Sequence, residues 1–282
     1  MPRNLVLARV GASSLHPGWF DAGAPRDWDL RLVPYQALPD QSGLELEVGP
    51  VVPGPKWAGI REALRTWEGW RDYDFIWMPD DDVAAPQASI NRMFEVAAGV
   101  GLDLFAPALA EGSYFAHFDT IRNPRFFGRW TGFVEIMIPG FSRAALEQLL
   151  PTLDESETGW GWGLDSVWPK LLEYRNVGII DGVPVTHTRP VGAMRDPELR
   201  ERVHAESDQL LAKYECRQEH VTLGAFDESL TALELSPQEL LVRLAEGWEA
   251  LIEQDPRILA WLADFQLGRF GVPEYPTAGT PS

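Results

Sequence analysis

Short, almost wholly apolar runs alternate along the chain with segments whose apolar residues recur at helical spacing, as far as about residue 194. Residues 4–9 read as a buried strand ending in the loop Gly11-Ala12-Ser13-Ser14, and residues 29–33 as a second, shorter strand. Gly54-Pro55-Lys56 opens a helix, because Trp57, Ile60, Leu64 and Trp67 follow helical spacing. Residues 74–78 form a further strand, and residues 86–98 a helix after it. Residues 103–107, 133–138 and 176–180 read as strands, and residues 142–150 as a helix capped by Ser142. This β-α-β order predicts a mixed, mainly parallel α/β sheet with helices on both faces and ligands at the C-terminal ends of its strands.

Beyond residue 194 the pattern becomes charged and helical. Residues 196–215 read as one helix, Ser236-Pro237-Gln238-Glu239 as a capping box opening another, and Asp255-Pro256 as the start of a third. The expected organisation is a ligand-binding domain over residues 1–194, a helical extension over 195–270 and a disordered tail over 271–282.

The most informative break in the pattern is Phe75-Ile76-Trp77-Met78-Pro79, which stops abruptly in Asp80-Asp81-Asp82. Three adjacent carboxylates repel one another, so a strand that delivers them to its tip calls for a cation, and carboxylate oxygens suit Mg²⁺ or Mn²⁺. A solvated acidic turn is the alternative. His187, after Asp181-Gly182-Val183-Pro184-Val185-Thr186, offers an imidazole that can complete such a site or serve as a hydrogen-bonded structural residue. Arg9 after the first strand and Lys56 at a helix start are the candidate cations for an anionic ligand.

Two further segments carry candidate chemistry. Glu135 sits inside the apolar run 133–138, where a carboxylate is either turned to solvent or buried and functional. In Gly159-Trp160-Gly161-Trp162-Gly163-Leu164-Asp165, glycines such as Gly161 let the backbone approach a ligand, while Trp160 and Trp162 offer stacking faces for a sugar. From spacing alone Asp165 reads as the N-cap of the helix that follows.

Composition narrows the choices. With 42 Asp and Glu against 24 Lys and Arg, the net charge of −18 argues against nucleic-acid and anionic-membrane surfaces. The single cysteine, Cys216, excludes an intramolecular disulfide and a cysteine-rich zinc site. No apolar run approaches the length of a signal-peptide core or a transmembrane segment, so a soluble cytoplasmic protein is expected. Neither a dinucleotide-binding glycine fingerprint nor a P-loop occurs.

In order, Asp80-Asp81-Asp82, Thr131-Gly132-Phe133-Val134-Glu135 with Phe141-Ser142-Arg143, Gly161-Trp162-Gly163-Leu164-Asp165, and Asn176 to Asp181 with His187 resemble the motifs of domain-of-unknown-function family seven hundred and seven. That family of plant and bacterial proteins is in turn similar to the GT-A glycosyltransferases. The resemblance covers residues 4–194, departs in Met78-Pro79 before the acids, and does not reach the helical extension. It implies a GT-A-like fold and an inverting, metal-dependent transfer from a nucleotide-sugar donor to a carbohydrate or other hydroxyl acceptor. It further implies that Asp80, Asp82 and His187 hold Mn²⁺ or Mg²⁺, and that Asp165, rather than capping a helix, is the general base. Glu135 is then an acceptor-positioning residue or a substitute base. Lys56, Arg9 and Asp81 meet the donor, and the Trp160-Gly161-Trp162 segment meets the acceptor. Two other readings stay open: a non-catalytic nucleotide- or glycan-binding protein of the same fold, and a sugar nucleotidyltransferase.

Overall fold

The computed structural model describes residues 3–191, 194 and 196–267; the tail expected over 271–282 lies outside them. Its centre is a 10-stranded mixed sheet flanked by helices. Strands β1 (Asn4–Val10), β2 (Trp28–Pro34), β3 (Glu47–Val48) and β4 (Phe75–Trp77) pair in parallel in the order β3-β2-β1-β4. Every residue of β1 is buried, which explains its unbroken apolar run: an interior parallel strand has no solvent face.

The other half of the sheet is more mixed. Strand β8 (Gly140–Ser142) lies antiparallel between β4 and β6 (Leu104–Leu109), and β6 pairs in parallel with β9 (Val177–His187). Strand β7 (Gly128–Thr131) and then β10 (Thr222–Phe226) complete this edge in antiparallel pairing. Off the main path, β5 (Val83–Ala84) pairs with the end of β9, opposing Val83 to His187.

Helices α1 (Lys56–Thr66), α2 (Gln87–Val100), α3 (Arg143–Leu149) and α4 (Leu164–Leu171) belong to the first two thirds of the chain. Ser142 caps α3 as expected, accepting from the Ala145 N–H at 3.1 Å. Helices α5 (Pro197–Lys213), α6 (Pro237–Gly247), α7 (Glu249–Gln254) and α8 (Arg257–Gln266) follow. The capping box at Ser236 and Glu239 is present in full.

Three local expectations need correction. Residues 133–138 form a buried loop rather than a strand. Their carbonyls are engaged from outside a ladder: Ile138 by the Trp77 indole, Met137 by the Asp80 N–H, and Ile136 and Met137 by Lys56. Asp165 is not an N-cap, because Gly163, at φ 94°, holds that position and Asp165 lies in the first turn of α4. The segment after 194 is more than helical, since β10 returns to the sheet. A second apolar cluster, with Phe118, Leu244, Trp248 and Leu262 at its heart, seats α6 and α8 beside β10.

Candidate functional site

The site begins where β4 ends. Asp80 keeps 36% of its side-chain surface accessible, and its Oδ1 takes a 2.7 Å ion pair from the Lys56 ammonium. Lys56 is the first residue of α1 and also donates to the Ile136 and Met137 carbonyls at 2.9 and 2.5 Å. One lysine therefore ties α1, the acidic strand tip and the 133–138 loop together. Burial works against its charge, while Asp80, Asp82 and Glu135 favour it.

Asp82 is positioned by the β5–β9 pairing. Its Oδ2 lies 3.3 Å from His187 Nε2, and its Oδ1 is buried with no hydrogen-bond partner among the described residues. The other imidazole nitrogen, Nδ1, is 2.7 Å from the Tyr114 carbonyl, which can only accept, so Nδ1 carries the proton. In the neutral imidazole Nε2 then presents a lone pair to a carboxylate oxygen, an arrangement that needs a proton or another cation between them. Burial disfavours the imidazolium, but the bonds to Asp82 and Tyr114 outweigh it and raise the pKa of His187.

Asp81 has a different role from its neighbours. Its Oδ2 accepts from the Gly11 N–H at 2.8 Å and the Tyr35 hydroxyl at 2.9 Å, and its Oδ1 accepts from Arg189 at 3.2 Å. Asp81, expected to face the donor's ribose or sugar, fastens the loop after β1. Arg9 is corrected in the same sense. It is 3% exposed, and its guanidinium donates to the carbonyls of Val33, Val52 and Gly54 beneath α1.

Two carboxylates complete the group. Glu135 is 7% exposed with its Oε2 unpartnered among the described residues; burial first, then the charges of Asp165 and Asp119, push its pKa up to about 8. Asp165 is buried in the first turn of α4, where burial raises it to about 6 against the help of His220 and Ser166. Two acids with pKa values set apart by their surroundings are the usual mark of divided acid and base roles.

The Gly-Trp-Gly-Trp segment is built for packing as well as for any ligand. Gly161 has φ 77° and is so close to Trp57 that a Cβ would lie 2.4 Å from that indole. Glu206 of α5 anchors the approach, accepting from the Ser156 and Thr158 hydroxyls at 2.8 Å each and from the Thr158 N–H at 2.7 Å. Trp162, half-buried, meets His204 of α5 edge-to-face at 4.9 Å, and Trp160 is also half-buried. Of the expected residues, the structure brings Lys56, Asp80, Asp82, Glu135 and His187 into one electrostatic group, with Asp165 beside Glu135.

Sequence reasoning passed over Arg189, His117, Asp119 and His220. Arg189 joins Asp81 to the Ser13 carbonyl, at 2.6 Å from the latter. His220 Nδ1 lies 3.0 Å from Asp119 Oδ2, and the His117 ring stacks on His220 at 5.0 Å. The His117-Phe118-Asp119 spacing within an aromatic stretch was a usable signal. His220, alone after a charged helix, offered none.

No protein-family model matches the sequence, and no curated protein matches it. Among solved structures the chain is similar in fold to TarS of S. aureus. Against residues 1–349 of TarS the identity is 13% over 75% of this chain and 70% of that one, with a TM-score of 0.46. Against the same fragment in complex with UDP it is 12% over 90% and 72%, with a TM-score of 0.47. Against its complex with UDP-GlcNAc it is 14% over 76% and 71%, with a TM-score of 0.46. These likenesses concern the course of the backbone; the chemistry of the site rests on its own residues. No helix among the described residues is long and apolar enough to cross a membrane.

Proposed function

We propose that this chain is a glycosyltransferase that moves a sugar from a nucleotide-sugar donor to an acceptor hydroxyl, with inversion at the sugar carbon. The observation that carries this reading is the Asp82–His187 contact at 3.3 Å, beside an acidic strand tip and two buried carboxylates. A Mg²⁺ or Mn²⁺ ion fits there. Asp82 has an unpartnered buried oxygen, and with Nδ1–H of His187 committed to Tyr114, a cation that takes the place of the proton between Asp82 and Nε2 would gain an oxygen and a nitrogen ligand. No group of three or more His, Cys, Asp or Glu side chains is arranged around one metal position among the described residues. That suits an ion held by one or two side chains and completed by substrate phosphates. Bound there, it would neutralise the diphosphate as it leaves.

The chain's own residues supply the rest. Lys56 holds Asp80 in place and brings positive charge to the diphosphate side, with Arg189 as a second cation on the neighbouring Asp81. Asp165, with a pKa of about 6, is mostly ionised at neutral pH yet basic enough to take the proton of an attacking hydroxyl. Glu135, at about 8, keeps its proton at neutral pH. It therefore acts as a hydrogen-bond donor that positions the acceptor rather than as a substitute base.

A thermal-shift titration with UDP and other nucleoside diphosphates, with and without Mn²⁺, tests the reading. Metal-dependent stabilisation is expected in the wild type and in Asp165→Asn, and its loss in Asp82→Asn. Nucleotide-sugar turnover in Asp165→Asn should fall by about 10²- to 10⁴-fold. Wild-type turnover in that variant sinks the base assignment, and the absence of any metal-dependent shift sinks the transferase reading.

A further inference from the structure

The loop that fixes His187 continues into a cavity of about 580 Å³. Phe115, Phe118, Leu251 of α7, and Ile258 and Trp261 of α8 give it an apolar lining. His117 and His220 line it as well. The volume falls within the ordinary range of small-molecule sites. Phe115 and Trp261 are 38% and 42% exposed, while the Phe118 and Trp261 rings run nearly parallel, at 26° and 6.4 Å between centroids. Exposed aromatic faces around a recess offer an apolar stacking surface.

The polar lining decides which occupant fits. Among the described residues no Lys or Arg lines the cavity, and the one carboxylate, Asp255, is paired with Arg257 at 2.6 Å. In a chain of net charge −18, a cavity whose candidate cation, His220, is already paired with Asp119 disfavours a phosphate or a carboxylate. The imidazoles provide a defined hydrogen-bonding point. His220 is oriented by Asp119; burial works against its charge, but Asp119, Asp165 and Glu135 outweigh it and raise the pKa, so with Nδ1–H committed to Asp119 its Nε2–H is the donor left for a ligand. His117 stacks against it and is kept neutral, burial and the neighbouring ring lowering its pKa to about 4. Asp165 and Glu135 both act electrostatically on His220, so the imidazole end adjoins the proposed reaction centre.

We infer that this cavity is the acceptor site, and that the acceptor is a flat, uncharged, largely apolar molecule bearing a hydroxyl, such as an aromatic alcohol. Its ring system lies against Phe115 and Trp261, and its hydroxyl oxygen accepts from His220, which leaves the hydroxyl proton to Asp165. The word acceptor rests on the transferase reading; the ligand class rests on the cavity alone.

Isothermal titration of the full chain with 2-naphthol, 2-methoxynaphthalene and methyl glucoside tests the inference. One 2-naphthol is expected to bind per chain, more tightly than methyl glucoside by at least about tenfold, and Trp261→Ala should weaken it by about tenfold through lost stacking. His220→Leu, which removes the donor, should weaken 2-naphthol by about tenfold and 2-methoxynaphthalene by less. No naphthol binding, or unchanged binding in Trp261→Ala, overturns the inference. So does a metal-dependent response to UDP accompanied by preference for methyl glucoside, which leaves the transferase reading standing. Naphthol binding that follows the predicted variant pattern, in a protein that responds to no nucleoside diphosphate, upholds the cavity's ligand class and overturns the transferase reading instead.

Discussion

Glu135 and Asp165 show what burial does to single carboxylates. At an ordinary value of 4.5 Glu135 would be charged at neutral pH, but its surroundings raise it to about 8. A raised carboxyl pKa favours the protonated folded state, so its stabilising share is complete below about pH 4.5 and is lost as pH rises towards 8. Glu135→Gln cannot titrate. Its melting temperature should gain on the wild type between pH 5 and pH 8.5, and a gap independent of pH would refute the assignment. At this scale the sequence was informative wherever acids broke an apolar run, as at Asp80, Asp82 and Glu135. It did not reveal the partners of Arg9 and Asp81, which are main-chain groups, Tyr35 and Arg189 brought in from distant segments. Charge without a visible partner reads as a ligand contact, and in both cases the partner was the protein itself.

At the scale of elements, the strands with continuous apolar runs were legible and the 133–138 loop was not. Hydrophobicity reports burial, and a buried loop whose carbonyls are taken by Lys56, Trp77 and Asp80 looks the same as a strand. The short, glycine-containing β10 escaped notice for the opposite reason. Helix α5 illustrates how an element outside the recognised motifs can govern one inside them. Glu206 is the shared acceptor for the Ser156 and Thr158 groups at the start of the Gly-Trp-Gly-Trp segment. Glu206→Ala leaves buried donors unpaired and should destabilise the fold by about 1–3 kcal/mol. Amide hydrogen exchange should show faster exchange across residues 156–163 than in the wild type. Unchanged protection there would mean that the segment is held by its glycine packing alone.

Across the whole molecule, the alternation of elements predicted the class of sheet, while the order of strands came from contacts that sequence spacing does not encode. The clearest is the Arg129–Asp181 pair, fully buried between β7 and β9 with Nε to Oδ2 at 2.8 Å. Trp248, just beyond α6, lies 4.8 Å over the same guanidinium and donates its indole N–H to the Ile121 carbonyl at 3.1 Å. The C-terminal helices are thus fastened to the charge that fastens the sheet. Asp181→Ala strands a buried cation and should cost about 3–5 kcal/mol by urea unfolding, whereas an Arg129→Met/Asp181→Leu double variant should lose distinctly less. Equal losses in the two would mean that the pair contributes by shape rather than by charge.

The stretch from Ala110 to Phe118 zips onto the end of β9 through Ala110 N–H to Val185, Tyr114 N–H to His187 and His187 Nδ1–H to Tyr114, and then lines the aromatic cavity. A metal ion at His187 and a molecule in the cavity would share this one stretch of main chain. Any shift that one of them imposes on it must change the affinity of the other, and by the same factor in both directions. The order of filling is then a property of the loop, and titrating either ligand in the presence of the other measures it.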